Sequence, residues 1–151
     1  MIRQVNPSTI LTFQVVANAW FETLLDAIDI LPPDVIKREI VVIAINKAQI
    51  EQTINSRKAS CRLLGKIGCK LDPQSVRQEI LPVALALCQD AESEVRECMC
   101  CHLGLVARGV GADFVEATIL PQLVDLVSIS KLFRSFYKNT CTYRVYQGFI
   151  L

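Results

Sequence analysis

An excess of charge of one sign is what this sequence most plainly lacks. Its 151 residues carry 16 Lys and Arg against 15 Asp and Glu, a formal net charge of +1. So even a balance creates no long-range field to gather nucleic acid or an anionic membrane, and neither is expected as a partner. Long apolar runs are missing as well. A membrane-spanning helix needs about 20 apolar residues, whereas the longest run, Ile40–Ile45, is bracketed by Arg38, Glu39 and Lys47. Met1–Pro7 has one Arg but no continuous apolar stretch leading to a small-residue cleavage site, so a cytoplasmic protein is expected. A glycine-rich phosphate loop, a nucleophile motif and metal-ligand spacing are all absent, which argues against an enzyme and against a cofactor.

Cysteine is not scarce, but its pattern excludes a disulfide framework. The seven cysteines stand at 61, 69, 88, 98, 100, 101 and 141, an odd number with three crowded together. That pattern fits free thiols in a reducing compartment. Cys98, Cys100, Cys101 and His102 form the one cluster with metal or nucleophile potential. Neighbouring positions on a helix point about 100° apart, so the four cannot converge on zinc, and small buried thiols filling a core is the favoured reading.

What the chain does have is a repeat. Hydrophobic residues make up 52% of the sequence and mean hydropathy is +0.36, enough for a packed core. The segment Pro33–Ile40 recurs as Pro73–Ile80, 40 residues on, and Glu79-Ile80-Leu81-Pro82 recurs as Thr118-Ile119-Leu120-Pro121, 39 on. Between these, Arg57, Cys61, Leu64, Gly65 and Ile67 recur as Arg96, Cys100, Leu103, Gly104 and Val106, again 39 on. Leu25 and Ile28 mark an earlier copy of this second segment. The period exceeds the ~33–34 of ankyrin and tetratricopeptide repeats and falls at the short end of the HEAT and armadillo range.

Both segment types read as helices. Asp72-Pro73 places a carboxylate acceptor at an N-cap and a ring of preset φ at the first helical position. Ile40–Ile45 alone could pass for a buried strand, but its equivalent contains Pro82, which a helix absorbs as a kink and a central strand does not tolerate. The expected helices cover about 15–30, 33–48, 55–68, 73–89, 94–108 and 112–127. Gly68, Gly109 and Gly111 are expected to end helices through positive φ, and Gly65 and Gly104, inside helices, to mark close helix approach. Apolar residues on most of the circumference of 94–108 call for neighbours on both sides, as in a stack of hairpins. The expected fold is therefore all-α, an α-solenoid of HEAT-type hairpins forming an armadillo-like superhelix. Residues 15–128 hold two full repeats and flanking halves, after an unassigned segment 1–14 and before a divergent tail 129–151. That tail has no acidic residue and gathers Phe133, Phe136, Tyr137, Tyr143, Tyr146 and Phe149.

The turns between paired helices repeat too. Asp90 and Arg96 occupy the positions of Glu51 and Arg57, so Asp90 is expected to pair with Arg57 of the preceding repeat as a ladder that sets repeat register. Lys58, Arg62, Lys66 and Lys70 form a basic stripe at i, i+4, i+8 and i+12. It is either a solvated face or a local site for an acidic partner surface.

Leu81–Asp90 followed by Glu94-Val95-Arg96 is similar to the HEAT pattern, with proline in the first helix, Asp at the turn and Val-Arg opening the second. Asn18–Leu25, Ser60–Lys66 and Cys88–Cys100 resemble, more narrowly, the regulatory subunits of protein phosphatase 4. The resemblance implies a longer cytoplasmic scaffold, without catalysis of its own, that binds a serine/threonine protein phosphatase catalytic subunit. It further implies partner contacts at the turns: Gln89, Asp90, Glu92, Ser93 and Glu94, and Lys47, Gln49 and Gln52 one repeat earlier. A HEAT adaptor for another cargo, such as transport machinery, is the alternative.

Overall fold

The computed structural model describes residues 7–115 and residue 117. The third copy of the first segment, including Pro121, and the tail from 129 lie outside the described residues, as does Cys141. The chain divides between Leu31 and Pro32 into two compact units. Every described element is helical, so the fold is all-α.

The first unit is one helix, α1, Pro7–Ala27. It begins well before residue 15, so part of the segment left unassigned by sequence is helical. Leu25 and Ile28 are buried, whereas Phe13, Val16 and Trp20 stay exposed, Trp20 at 72%.

The second unit contains two helical hairpins. The first pairs α2, residues 33–48, with α3, Ile54–Gly68. The second pairs α4, residues 73–87, with α5, Ser93–Val110, and a further turn, Ala112–Phe114, follows. Helix α3 packs on α2 and on α5, and α5 packs on α4, so the second helices of the hairpins lie against one another.

The repeat seen in sequence is a repeat of buried positions. Ile36, Ile40, Val41 and Ala44 of α2 are buried, and so are Val76, Ile80, Leu81 and Ala84 of α4, the same four slots. Removing such side chains from water stabilises by roughly 1.5–3 kcal/mol each for the larger ones. The β-branched block Ile40–Ile45 is helical, since its length and flanks serve a helix packed on a second helix. Asp72 caps α4: its Oδ1 accepts from the Ser75 amide at 2.9 Å and its Oδ2 from the Ser75 hydroxyl at 2.6 Å. Thr53 caps α3 in the same manner, through the Ser56 amide at 3.2 Å.

Two expectations change. The kink assigned to Pro82 is part of a wider feature, because both first helices contain a π turn in the same slot, Ile36–Ile40 and Val76–Ile80. The first of these lacks proline, with Val42 in its place, so the widened turn belongs to the repeat and not to the pyrrolidine ring. The glycines also trade roles. Among the described glycines only Gly111 has positive φ, at 89°, and it ends α5. Gly68 and Gly109 sit within helices at a close crossing of α3 and α5, where a Cβ on Gly109 would overlap the Gly68 carbonyl. Gly65 is a packing site, since a Cβ there would lie 2.9 Å from the His102 Cβ, but one on Gly104 would meet nothing within 4 Å.

Candidate functional site

The turn joining each pair of helices is built around an arginine from the second helix. A turn that leaves a helix exposes carbonyls without intrahelical donors, and a guanidinium with five N–H groups can collect several. Arg57 Nη1 donates to the Gln52 carbonyl at 2.6 Å and the Ile50 carbonyl at 3.4 Å. Arg96 Nη1 does the same one repeat on, donating to the carbonyls of Asp90 at 2.7 Å and Ala91 at 2.8 Å. These bonds fix the loop between the helices.

Arg57 also reaches the next hairpin. Its Nε and Nη2 donate to Asp90 Oδ2 and Oδ1 at 2.7 and 2.9 Å, a two-pronged ion pair with both side chains buried. The Asp90 hydrogen bond pushes the Arg57 pKa up, and Asp90 Oδ1 accepts from the Glu92 amide at 2.9 Å as well. Asp90 therefore acts inside the fold, and its carboxylate is not presented as a partner contact. Removing one member of such a pair strands a buried charge.

The other turn residues lie nearer the surface. Gln49, Gln52, Gln89, Glu92, Ser93 and Glu94 are exposed and Lys47 is half-buried. Gln49 and Gln89 line one groove of about 490 Å³ together with Ala48, Ile50, Pro82, Val83, Ala86, Leu87, Asp90 and Ala91. The groove runs between consecutive first helices at their turn ends. Its lining combines apolar side chains with the amides of Gln49 and Gln89, and Ile50 within it is 63% exposed. Gln52, Glu92, Ser93, Glu94 and Lys47 are not part of its lining.

Glu94 instead binds Lys58, Oε2 to Nζ at 2.9 Å, which raises the Lys58 pKa and engages one member of the basic stripe. A further cross-repeat contact had no signal in the sequence beyond a shared slot. Lys37 Nζ donates to Ser75 Oγ at 2.8 Å and lies 3.3 Å from Glu79. Its equivalent Arg77 binds the Val110 carbonyl through Nε at 3.1 Å and Nη2 at 2.6 Å, with its guanidinium 4.5 Å from the centre of the Phe114 ring.

The cysteine cluster disperses around α5. Cys100 is buried, Cys101 exposed, and Cys98 half-buried toward α3, where it meets Cys61. Among the described residues no group of three or more His, Cys, Asp or Glu is placed to hold a metal ion. No described helix is long and apolar enough to cross a membrane.

No family model matches the chain, and no solved structure matches it. Two curated proteins do. Serine/threonine-protein phosphatase 4 regulatory subunit 4 of Mus musculus is 48% identical over 111 residues, and that of Homo sapiens is 45% identical over the same length. The matched stretch is 74% of this chain and 13% of each relative, so the chain spans a small part of their length. Over that stretch the chain is a relative of this regulatory subunit.

Proposed function

We propose that this relative of protein phosphatase 4 regulatory subunit 4 is a section of a non-catalytic cytoplasmic scaffold, a HEAT-type solenoid that binds a serine/threonine protein phosphatase catalytic subunit. The observation that carries the reading is the sequence match across 111 residues to two proteins named as phosphatase regulatory subunits. The paired helices with a common set of buried slots support a solenoid, because each hairpin leaves apolar surface that the next one covers.

Within this reading the contact surface is the turn edge, at the groove between Gln49-Ile50 and Val83-Gln89. A lining of apolar side chains, the exposed Ile50 among them, together with amide groups suits a protein surface, where a few central anchors carry most of the binding. Asp90 supports the edge through Arg57, and Gln89, Glu92, Ser93 and Glu94 with Lys47, Gln49 and Gln52 surround it.

Co-precipitation of the phosphatase 4 catalytic subunit with the full chain tests both levels. Capture by the wild type is expected, with a loss of roughly tenfold for the double variant Ile50→Glu, Gln89→Lys. Absence of capture by the folded wild type overturns the phosphatase reading. Undiminished capture by a folded double variant overturns the groove and leaves the phosphatase assignment standing.

A further inference from the structure

Helices α3 and α5 cross so closely that two cysteines 37 positions apart face each other. The contacts are reciprocal. Cys61 Sγ lies 3.8 Å from the Val95 carbonyl, one turn before Cys98, and Cys98 Sγ lies 3.6 Å from the Lys58 carbonyl, one turn before Cys61. Each sulfur thus sits against the other's helix, one turn from the other cysteine. A disulfide needs two cysteines opposed across a short gap, and the close crossing of α3 and α5 brings the two helices together in that way.

The two sulfurs have different surroundings. Cys61 is fully buried, at 0% exposure, whereas Cys98 is half-buried. One turn beyond Cys98, His102 is pinned by a 2.8 Å contact between its Nδ1 and the Cys98 carbonyl, with its Cβ seated over Gly65. Lys58 stands one turn before Cys61 and close enough to act on Cys98 through its charge. Both side chains therefore adjoin Cys98.

We propose that Cys98 and Cys61 form a peroxide-oxidisable pair that closes to a reversible disulfide between α3 and α5. Hydrogen bonding from the Cys61 thiol, with help from His102 and Lys58, lowers the Cys98 pKa, and the same hydrogen bond together with burial raises that of Cys61. Cys98 is the thiolate and Cys61 the resolving thiol. In the first step the Cys98 sulfur attacks hydrogen peroxide: an S–O bond forms, the O–O bond breaks, and hydroxide leaves, giving the sulfenic acid. In the second the Cys61 sulfur displaces the sulfenic hydroxyl, which departs with the Cys61 proton as water. Two thiols are oxidised, and one peroxide is reduced to two waters. A thiol reductant reverses the bond by exchange.

The consequence is a covalent staple between adjacent hairpins. In a reducing compartment such a bond is transient, as suits a sensor and not a structural link.

Peroxide treatment of the full chain, blocking of remaining thiols, tryptic digestion without reductant and peptide sequencing by mass spectrometry test the proposal. The expected product joins Ala59–Arg62 to Glu97–Arg108 with the link on Cys98, and it disappears on reduction. The exposed Cys69 and Cys101 serve as internal controls, and linkage is expected at peroxide doses roughly tenfold below those that oxidise Cys69. A link carried by Cys100 or Cys101, or oxidation of Cys69 with Ala59–Arg62 still unlinked, overturns it. In Cys61→Ser the expected state of Cys98 is a sulfenic acid captured by dimedone, and a Cys98 that stays reduced under the same dose overturns the order of steps.

Discussion

Arg57 and Arg96 occupy the same slot 39 residues apart, yet they hold different things. Both secure the carbonyls of their own turn. Arg57 in addition grips Asp90 of the following hairpin, whereas the position 39 beyond Asp90 is Ile129, which cannot accept a hydrogen bond through its side chain. Glycine tells the same story. Gly65 lies beneath His102, while its equivalent Gly104 has open space around it among the described residues. Among the described residues the first hairpin is thus specified in part by what comes after it, and the second shows the half of that specification that points back into its own turn. The difference teaches which features of a repeat serve the unit and which serve the joint.

The sharpest way to break the comparison is at the arginines. Arg57→Ala strands the buried Asp90 carboxylate and is expected to lower Tm by about 10 °C, with Arg96→Ala costing less than half as much. Equal losses in thermal melts of the two variants would erase the distinction. Next in size is Gly65→Ala, which forces α3 and α5 apart at His102 and is expected to lower Tm by roughly 5 °C. Gly104→Ala is expected to do the reverse. With room for the methyl group and a better helix former, Tm should rise by about 3 °C, and a fall would show that something covers that face.

The smallest effect, and the one that depends on pH, is at the cap. The Ser75 hydroxyl and amide hold the Asp72 carboxyl below the usual carboxylate range. A carboxyl lowered in the folded state contributes stability above its unfolded pKa of about 3.9 and loses it as pH falls through the lower folded value. Asp72→Ala should therefore lower Tm by about 2–3 °C at pH 7, a difference that shrinks once the pH drops below about 4. Melts across that range check the sign.

Much of the fold is legible in the sequence because its buried slots repeat. Ile36 to Ala44 and Val76 to Ala84 carry the pattern twice, so helix type, hairpin order and boundaries within two residues follow for most of the second unit. The nearness of Arg57 and Asp90 is also readable, since both stand at turn positions one repeat apart. Pairings that ignore the period are not. Cys61 meets Cys98 and not its repeat mate Cys100, because packing of neighbouring helices is set by crossing geometry and not by the spacing of equivalent residues. The π turns were hidden for a related reason. Proline is visible in a sequence, but Ile36–Ile40 widens without one. The early start of α1 at Pro7 does carry a signal, Asn6-Pro7, of the same kind as Asp72-Pro73, but it lies outside the repeat.

Those widened turns have a consequence for how such a chain can change over generations. A π turn holds one residue more than an α turn would. Losing a single codon elsewhere in α2 or α4 would rotate everything downstream of it by about 100° relative to what comes before, so that buried residues on its two sides could no longer share one face. Losing one between Ile36 and Ile40, or between Val76 and Ile80, would let the turn relax to an ordinary α turn with the flanking residues still facing where they face now. Each first helix thus contains one stretch where its length can vary by a residue while its buried side chains keep their neighbours.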